Sequence, residues 1–362
     1  MAARYWVGGS GDWDSINDTV WSDTSGGAGG FSVPTAADNV FFDAGSDAGG
    51  IFTVTMVNTG RCNNFTASGL DFTMTLAGSV GLTVSGSLAF PATNFACTYT
   101  GTTTFNATTT GKTVTTNGVT VPASATFNGV GGGWTLGSAC TIIGITTLTN
   151  GTLNLASYTL TTGRFSSTNS NTRTIAFGTG RISCYTSGTA WNTAISTNLT
   201  VTGTGTISLT YASAKAFYGG GAGGYAGITL DQGGAGTLTI SDSNTFNNIT
   251  NTYKSTGATS IRFIAGTTST FTNWNASGES TRLLTIGSVT AASHTLSKAS
   301  GTVSADYLSI SYSTATGGAT WYAGANSTDG GNNTGWTFTA PPGGASLTIG
   351  TGITIGGGIT IG

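Results

Sequence analysis

Charge is what this sequence has least of. Asp, Glu, Lys and Arg together make up 7% of its 362 residues, against about 25% in an ordinary soluble domain. The 11 basic residues are scattered singly from Arg4 to Lys298, so there is no cationic patch to hold nucleic acid, and no such partner is expected. No run of 18 apolar residues occurs, which excludes a membrane-spanning helix and any membrane insertion by that route. Proline is scarce at 5. Stretches of helical period are missing too. The opening MAARYWVGGSGDWDS has no apolar h-region, so no secretory signal is expected.

Chemistry-bearing residues are equally thin. The single histidine, His294, lies in AASHTLSK, which reads as a strand, with no nucleophile elbow nearby to build a triad on. Cys62, Cys97, Cys140 and Cys184 show no C-x-x-C pair and no neighbouring His, which argues against zinc and for buried free thiols. Between Asp71 and Asp231 there is no Asp or Glu. A glycosidase needs two carboxylates about 5–9.5 Å apart, so that stretch supplies no acid–base pair. Asp231, Asp242, Glu279, Asp306 and Asp329 remain. Of these, Asp231 and Asp242 are spaced to fall on adjacent coils of a stacked fold. GGGAGG at Gly219–Gly224 satisfies G-x-G-x-x-G, but a strand-like YAGITLDQ follows it, so it reads as a loop rather than a phosphate site. DWDSIND lacks the Gly and terminal Glu of an EF-hand. No cofactor and no metal are expected. The sequons at Asn64, Asn106, Asn198 and Asn248 are what a chain this rich in Asn and Thr produces by chance.

Glycine (59 residues) and threonine fill the space left by charge, while 38% hydrophobic and 10% aromatic content argue against disorder. From about residue 62, segments such as LTVSGSLAF, CTYTGTTTF and NLTVTGTGTISLTY recur, each with apolar residues at every second position and then Gly, Asn or Ser. In TNGTLNLASYTLTTG, Leu153, Leu155 and Leu160 face inward. So many short strands without helices suit a sandwich, a barrel or a solenoid. Repetition unbroken over so long a stretch favours an elongated, right-handed parallel β-helix, all-β throughout. A stacked pair of sandwiches is the alternative.

Four regions are expected. Residues 1–60 hold Trp6, Trp13 and Trp21 and seven of the thirteen acidic residues; they read as an N-terminal cap whose acidic side chains make turns. Residues 61–301 form the shaft. Residues 302–340 bring back Tyr307, Tyr312, Trp321, Tyr322 and Trp336 as an aromatic C-terminal cap. Residues 341–362 are a tail ending LTIGTGITIGGGITIG. Its apolar residues, Leu347, Ile349, Ile353, Ile355, Ile359 and Ile361, repeat every six positions and fall on one side of a strand. They read as an oligomerisation or docking device, in a homotrimer or in a groove on another protein.

The opening YWVGGSGDW…VPTAADNVFFDAG resembles the start of β-helical passenger and fibre proteins. The closing DYLSIS…GGATWYAGANSTDGGNNTGW is similar to the end of Gly/Thr-rich β-helix proteins of tailed bacteriophages and some bacteria. With RFSSTNSNTRTIAFGTGRIS between them, the likeness covers most of the chain. The resemblance implies a non-enzymatic virion protein, a tail or head fibre, spike or decoration subunit, assembled in the host cytoplasm beside other virion proteins. A host-surface glycan is its implied contact. The aromatics Trp191, Tyr218, Tyr225 and Trp274 read at least as well as core or cap residues as they do as a glycan-binding surface, and the sequence does not choose between the two. A polysaccharide-degrading tailspike and a bacterial surface adhesin are the alternatives.

Overall fold

A computed structural model describes residues 1–221, 224–254 and 257–342. The chain is all-β and winds into a parallel β-solenoid of about 13 turns. Among the described residues the only helical element is a 3-10 turn, Ala44–Ser46. None of the described helices is long and apolar enough to cross a membrane.

Each coil has three faces. The first face opens with Ala3–Trp6, Asn39–Phe42, Phe65–Ala67, Leu88–Ala89 and Lys112–Thr115, each paired in parallel with the next. The second opens with Gly11–Trp13, Phe52–Met56, Met74–Gly78 and Phe95–Cys97. Gly60–Cys62, Leu82–Val84 and Thr103–Phe105 begin the third. Period-2 alternation explains why these triplets suffice. Phe52–Met56 reads buried, half-buried, buried along its length, because successive side chains leave opposite sides of the strand. With neighbouring strands about 4.8 Å apart, 13 turns make a column roughly 60 Å long.

In-register stacking puts like residues on like residues. On the second face, Cys140, Leu160, Ile182, Ile207, Leu230, Ile249 and Trp274 succeed one another coil by coil. On the third, Cys62, Val84, Phe105, Phe127 and Leu148 do so. Leu153, Leu155 and Leu160 point into the core as expected, none more than 1% exposed. Longer strands also occur: Cys140–Asn154 is one 15-residue strand that runs round the corners of the coil.

Residues 39–60 already take part in the regular coils, and three indoles gather in the first turns. Trp6, Trp13 and Trp21 are buried and meet edge-on, with ring centroids 5.1 and 5.3 Å apart. Trp21–Ser22 pairs antiparallel with Ala3–Trp6 and covers that strand's outer edge. Acidic residues of this region make turns, Asp43 accepting from Gly45 N and Asp47 from Gly49 N. Coiling continues through residues 302–337. Thr302–Ser304, Thr320–Tyr322 and Trp336–Thr337 stack on one another, and Trp274, Trp321 and Trp336 cluster with centroids 5.0–6.1 Å apart. Tyr307 and Tyr312 occupy left-handed corners, each at φ 54°, and are half-buried.

Candidate functional site

The six tail residues, Leu347, Ile349, Ile353, Ile355, Ile359 and Ile361, lie outside the described residues. Of the two readings open for the aromatics, the core one holds for three of the four. Trp191, Tyr225 and Trp274 are buried, and Tyr218 is half-buried. Trp191 stacks between Phe165 and Phe217, at 4.5 and 6.0 Å, and its indole N–H donates to Thr193 Oγ1 and Tyr225 Oη. A column wide enough to take a ring in each coil puts these side chains where burial stabilises them most.

Four of the five carboxylates that the sequence leaves as acid–base candidates are held in backbone and side-chain bonds. Asp231 is fully buried and accepts from Ser208 Oγ at 2.7 Å, Thr252 N at 2.9 Å and Thr252 Oγ1 at 2.8 Å. Asp242, at φ 71°, accepts from Gly220 N at 3.1 Å. The two were expected on adjacent coils. They instead share one coil, Asp231 on the second face and Asp242 at the corner after the third. Asp306 accepts from the backbone of Tyr307 and Asn326, and Asp329 from Gly331 N and Asn333 Nδ2. Glu279 makes a backbone bridge with Arg282. Among the described residues no three His, Cys, Asp or Glu side chains converge as a metal would require.

His294 is fully buried, stacked on Phe263 at 4.6 Å, with Nδ1 2.9 Å from Ser288 Oγ and no partner at Nε2. Burial pulls its pKa down to about 4, opposed by the backbone of Tyr312. All four cysteines are free; Cys62, Cys140 and Cys184 are buried and Cys97 is half-buried. Burial pushes the thiols of Cys97, Cys140 and Cys184 up to about 12, which makes them poor nucleophiles. Gly219–Gly221 begin a turn between the strands Lys215–Tyr218 and Tyr225–Gln232, as the loop reading expected.

Two buried cations lack a carboxylate at bonding distance. Arg173 donates to the carbonyls of Asn171, Thr197, Ser167 and Ile195 and to Ser167 Oγ. Lys215 Nζ donates to the carbonyls of Tyr211 at 2.9 Å and Ala235 at 2.6 Å. Burial draws the Lys215 pKa down to about 8 against the opposing pull of Asp231.

One polar-lined concavity was not anticipated. It holds about 400 Å³ at the corner between the third and first faces. Mid-column, a coil takes between 19 residues (Trp134 to Leu153) and 27 residues (Gly188 to Lys215). The corner between Leu148 and Leu153 is two residues shorter than the one between Phe127 and Trp134 stacked on it, and it lies beside the longer corner at 167–172. Gly131, Asn150, Thr172 and Asn198 succeed one another along it, tied by Gly151 N to Thr172 O and Arg173 N to Asn198 O at 3.1 Å. The floor is bare backbone of necessity. A Cβ on Gly132 would sit 2.0 Å from Ala107 O, and Gly151 lies at φ +83°. The amide nitrogens of Asn150, Asn171 and Asn198 each donate once to the protein, at 2.7, 3.1 and 2.9 Å, which leaves each amide its oxygen and one N–H. Signals for this groove were present in NGVGGGW and SSTNSNT, but composition alone makes such runs look like ordinary loops.

No protein-family profile matches the chain, and comparison with curated proteins and with solved structures likewise finds no match.

Proposed function

We propose that the protein is a non-enzymatic structural component of a phage particle, a tail or head fibre or spike that presents its shaft to a host surface. The observation that carries this reading is the unbroken solenoid of about 13 turns with so little charge along it. A column in which each coil leans on its neighbours is a rigid spacer. A surface of Thr, Ser and Asn is hydrated without attracting ions or polyelectrolytes.

The polarity of the column supports the same reading. Three buried indoles and an antiparallel strand close the N-terminal end. At the other end, Thr328–Asp329 and Trp336–Thr337 are paired on one side among the described residues, and the Ile-Thr-Ile sequence follows. The reading assigns assembly to that end, as a homotrimer joined through Leu347, Ile349, Ile353, Ile355, Ile359 and Ile361, beside other virion proteins. The test is immunoelectron microscopy with antibodies raised against the purified chain. Labelling of released particles, with loss of adsorption, is expected. Labelling confined to the cell envelope would favour a surface adhesin, and cleavage of a host polysaccharide by the purified chain would favour a tailspike.

A further inference from the structure

We propose that the glycine-floored groove between the third and first faces binds a short, uncharged oligosaccharide along the axis of the column. The proposal deepens the attachment reading by giving it a site, and rests on it only for the source of the sugar.

Three features of the groove define the ligand. The first is sign. No carboxylate or free cation lines it: the one charged lining residue, Arg173, is 1% exposed, and its guanidinium donates inward to carbonyls and Ser167 Oγ. An anionic polymer finds no counter-charge there and a cationic one no carboxylate. The second is hydrogen-bond direction. Each of the three Asn amide nitrogens spends one of its two N–H groups on the protein, so each amide still offers a ligand one N–H and its carbonyl oxygen, which call for a ligand that both donates and accepts. Sugar hydroxyls do both without charge, while a hard cation such as calcium is poorly served without carboxylates.

Dimensions are the third feature. Gly131, Asn150, Thr172 and Asn198 stand on four successive coils, so the groove runs for about 14 Å at three coil spacings. Its 400 Å³ falls within the range of sites that enclose a small ligand, roughly 300–1,000 Å³. Val130, 75% exposed on the wall, offers an apolar surface to the C–H face of a ring. A linear, neutral oligosaccharide lying along the column fits all three constraints.

Calorimetric titration of the full chain tests this. The probes are neutral trisaccharides of glucose, galactose, mannose and N-acetylglucosamine, with sulfated and uronate-containing trisaccharides for comparison. At least one neutral probe is expected to bind, with charged ones at least tenfold weaker. Val130→Trp fills the groove from an exposed position, and Asn171→Ala removes one acceptor. Each should weaken binding at least tenfold, Val130→Trp with the melting temperature unchanged, whereas Ile51→Trp, exposed elsewhere, should have no effect. The proposal is overturned if no neutral probe binds at millimolar concentration, if charged probes bind equally well, or if Val130→Trp leaves binding intact. Binding that Val130→Trp abolishes upholds the site even where antibodies fail to label particles, so the groove and the virion reading fail separately.

Discussion

Replacing Trp191 by alanine should create the weakest coil in the column. The ring is fully buried and stacks on Phe165 at 4.5 Å and on Phe217 at 6.0 Å, in the coils on either side, with Tyr225 edge-on at 6.3 Å. Truncating a buried Trp to Ala costs about 3–5 kcal/mol, transfer and residual cavity together. The polar loss adds little, because Thr193 Oγ1 and Tyr225 Oη still bond each other. The defect stays local, since each coil leans only on its neighbours. Denaturant unfolding should show the transition that includes residues 165–246 moved down by about 3–5 kcal/mol. Limited proteolysis should then cut first at the corners of those coils. Trp191→Phe keeps a ring in the stack and should cost less than half as much. A loss below about 1 kcal/mol, with no new cleavage site, would refute continuous aromatic stacking as the support of this part of the shaft.

Two further outcomes follow from buried polar groups. His294 has a folded pKa of about 4, below the unfolded value of about 6.5. The unfolded chain therefore binds the extra proton between those values, and stability falls as pH drops from about 6.5 to about 4. It is fully present above that window. A His294→Gln variant should lose this pH dependence in denaturant titrations at pH 7 and pH 5; an unchanged slope would show that another group is responsible. Asp231→Ala leaves Ser208 Oγ, Thr252 N and Thr252 Oγ1 without their acceptor. It should lower stability by about 1–3 kcal/mol, and a melting temperature equal to that of the parent chain would contradict the role given to this carboxylate.

Much of the fold was legible because a solenoid repeats one simple rule. Alternation in segments such as Leu82–Val84 and Leu284–Ser288 states which side chains turn inward, and the lack of charge states that the outside is neutral. The aromatics stayed undecided where alternation breaks. Ala190 and Trp191 are both buried, and the register shifts between Thr189 and Trp191, so local pattern could not assign the indole a side. Asp231 and Gln232 follow the same logic. They are consecutive and both buried, and Thr252, from the next coil, bonds over the Asp231 carboxylate. That cover is a long-range fact absent from the local string LDQGG. The groove at Gly131 and Asn198 was illegible for a related reason, since it comes from a difference in length between stacked corners.

The central claim is that this column assembles through its C-terminal end, and native mass spectrometry tests it most directly. The 36.0 kDa chain should appear as a trimer, and a chain ending at Gly344 should appear as a monomer of unchanged melting temperature. A full-length chain that flies as a monomer, or a trimer that survives the truncation, would contradict it.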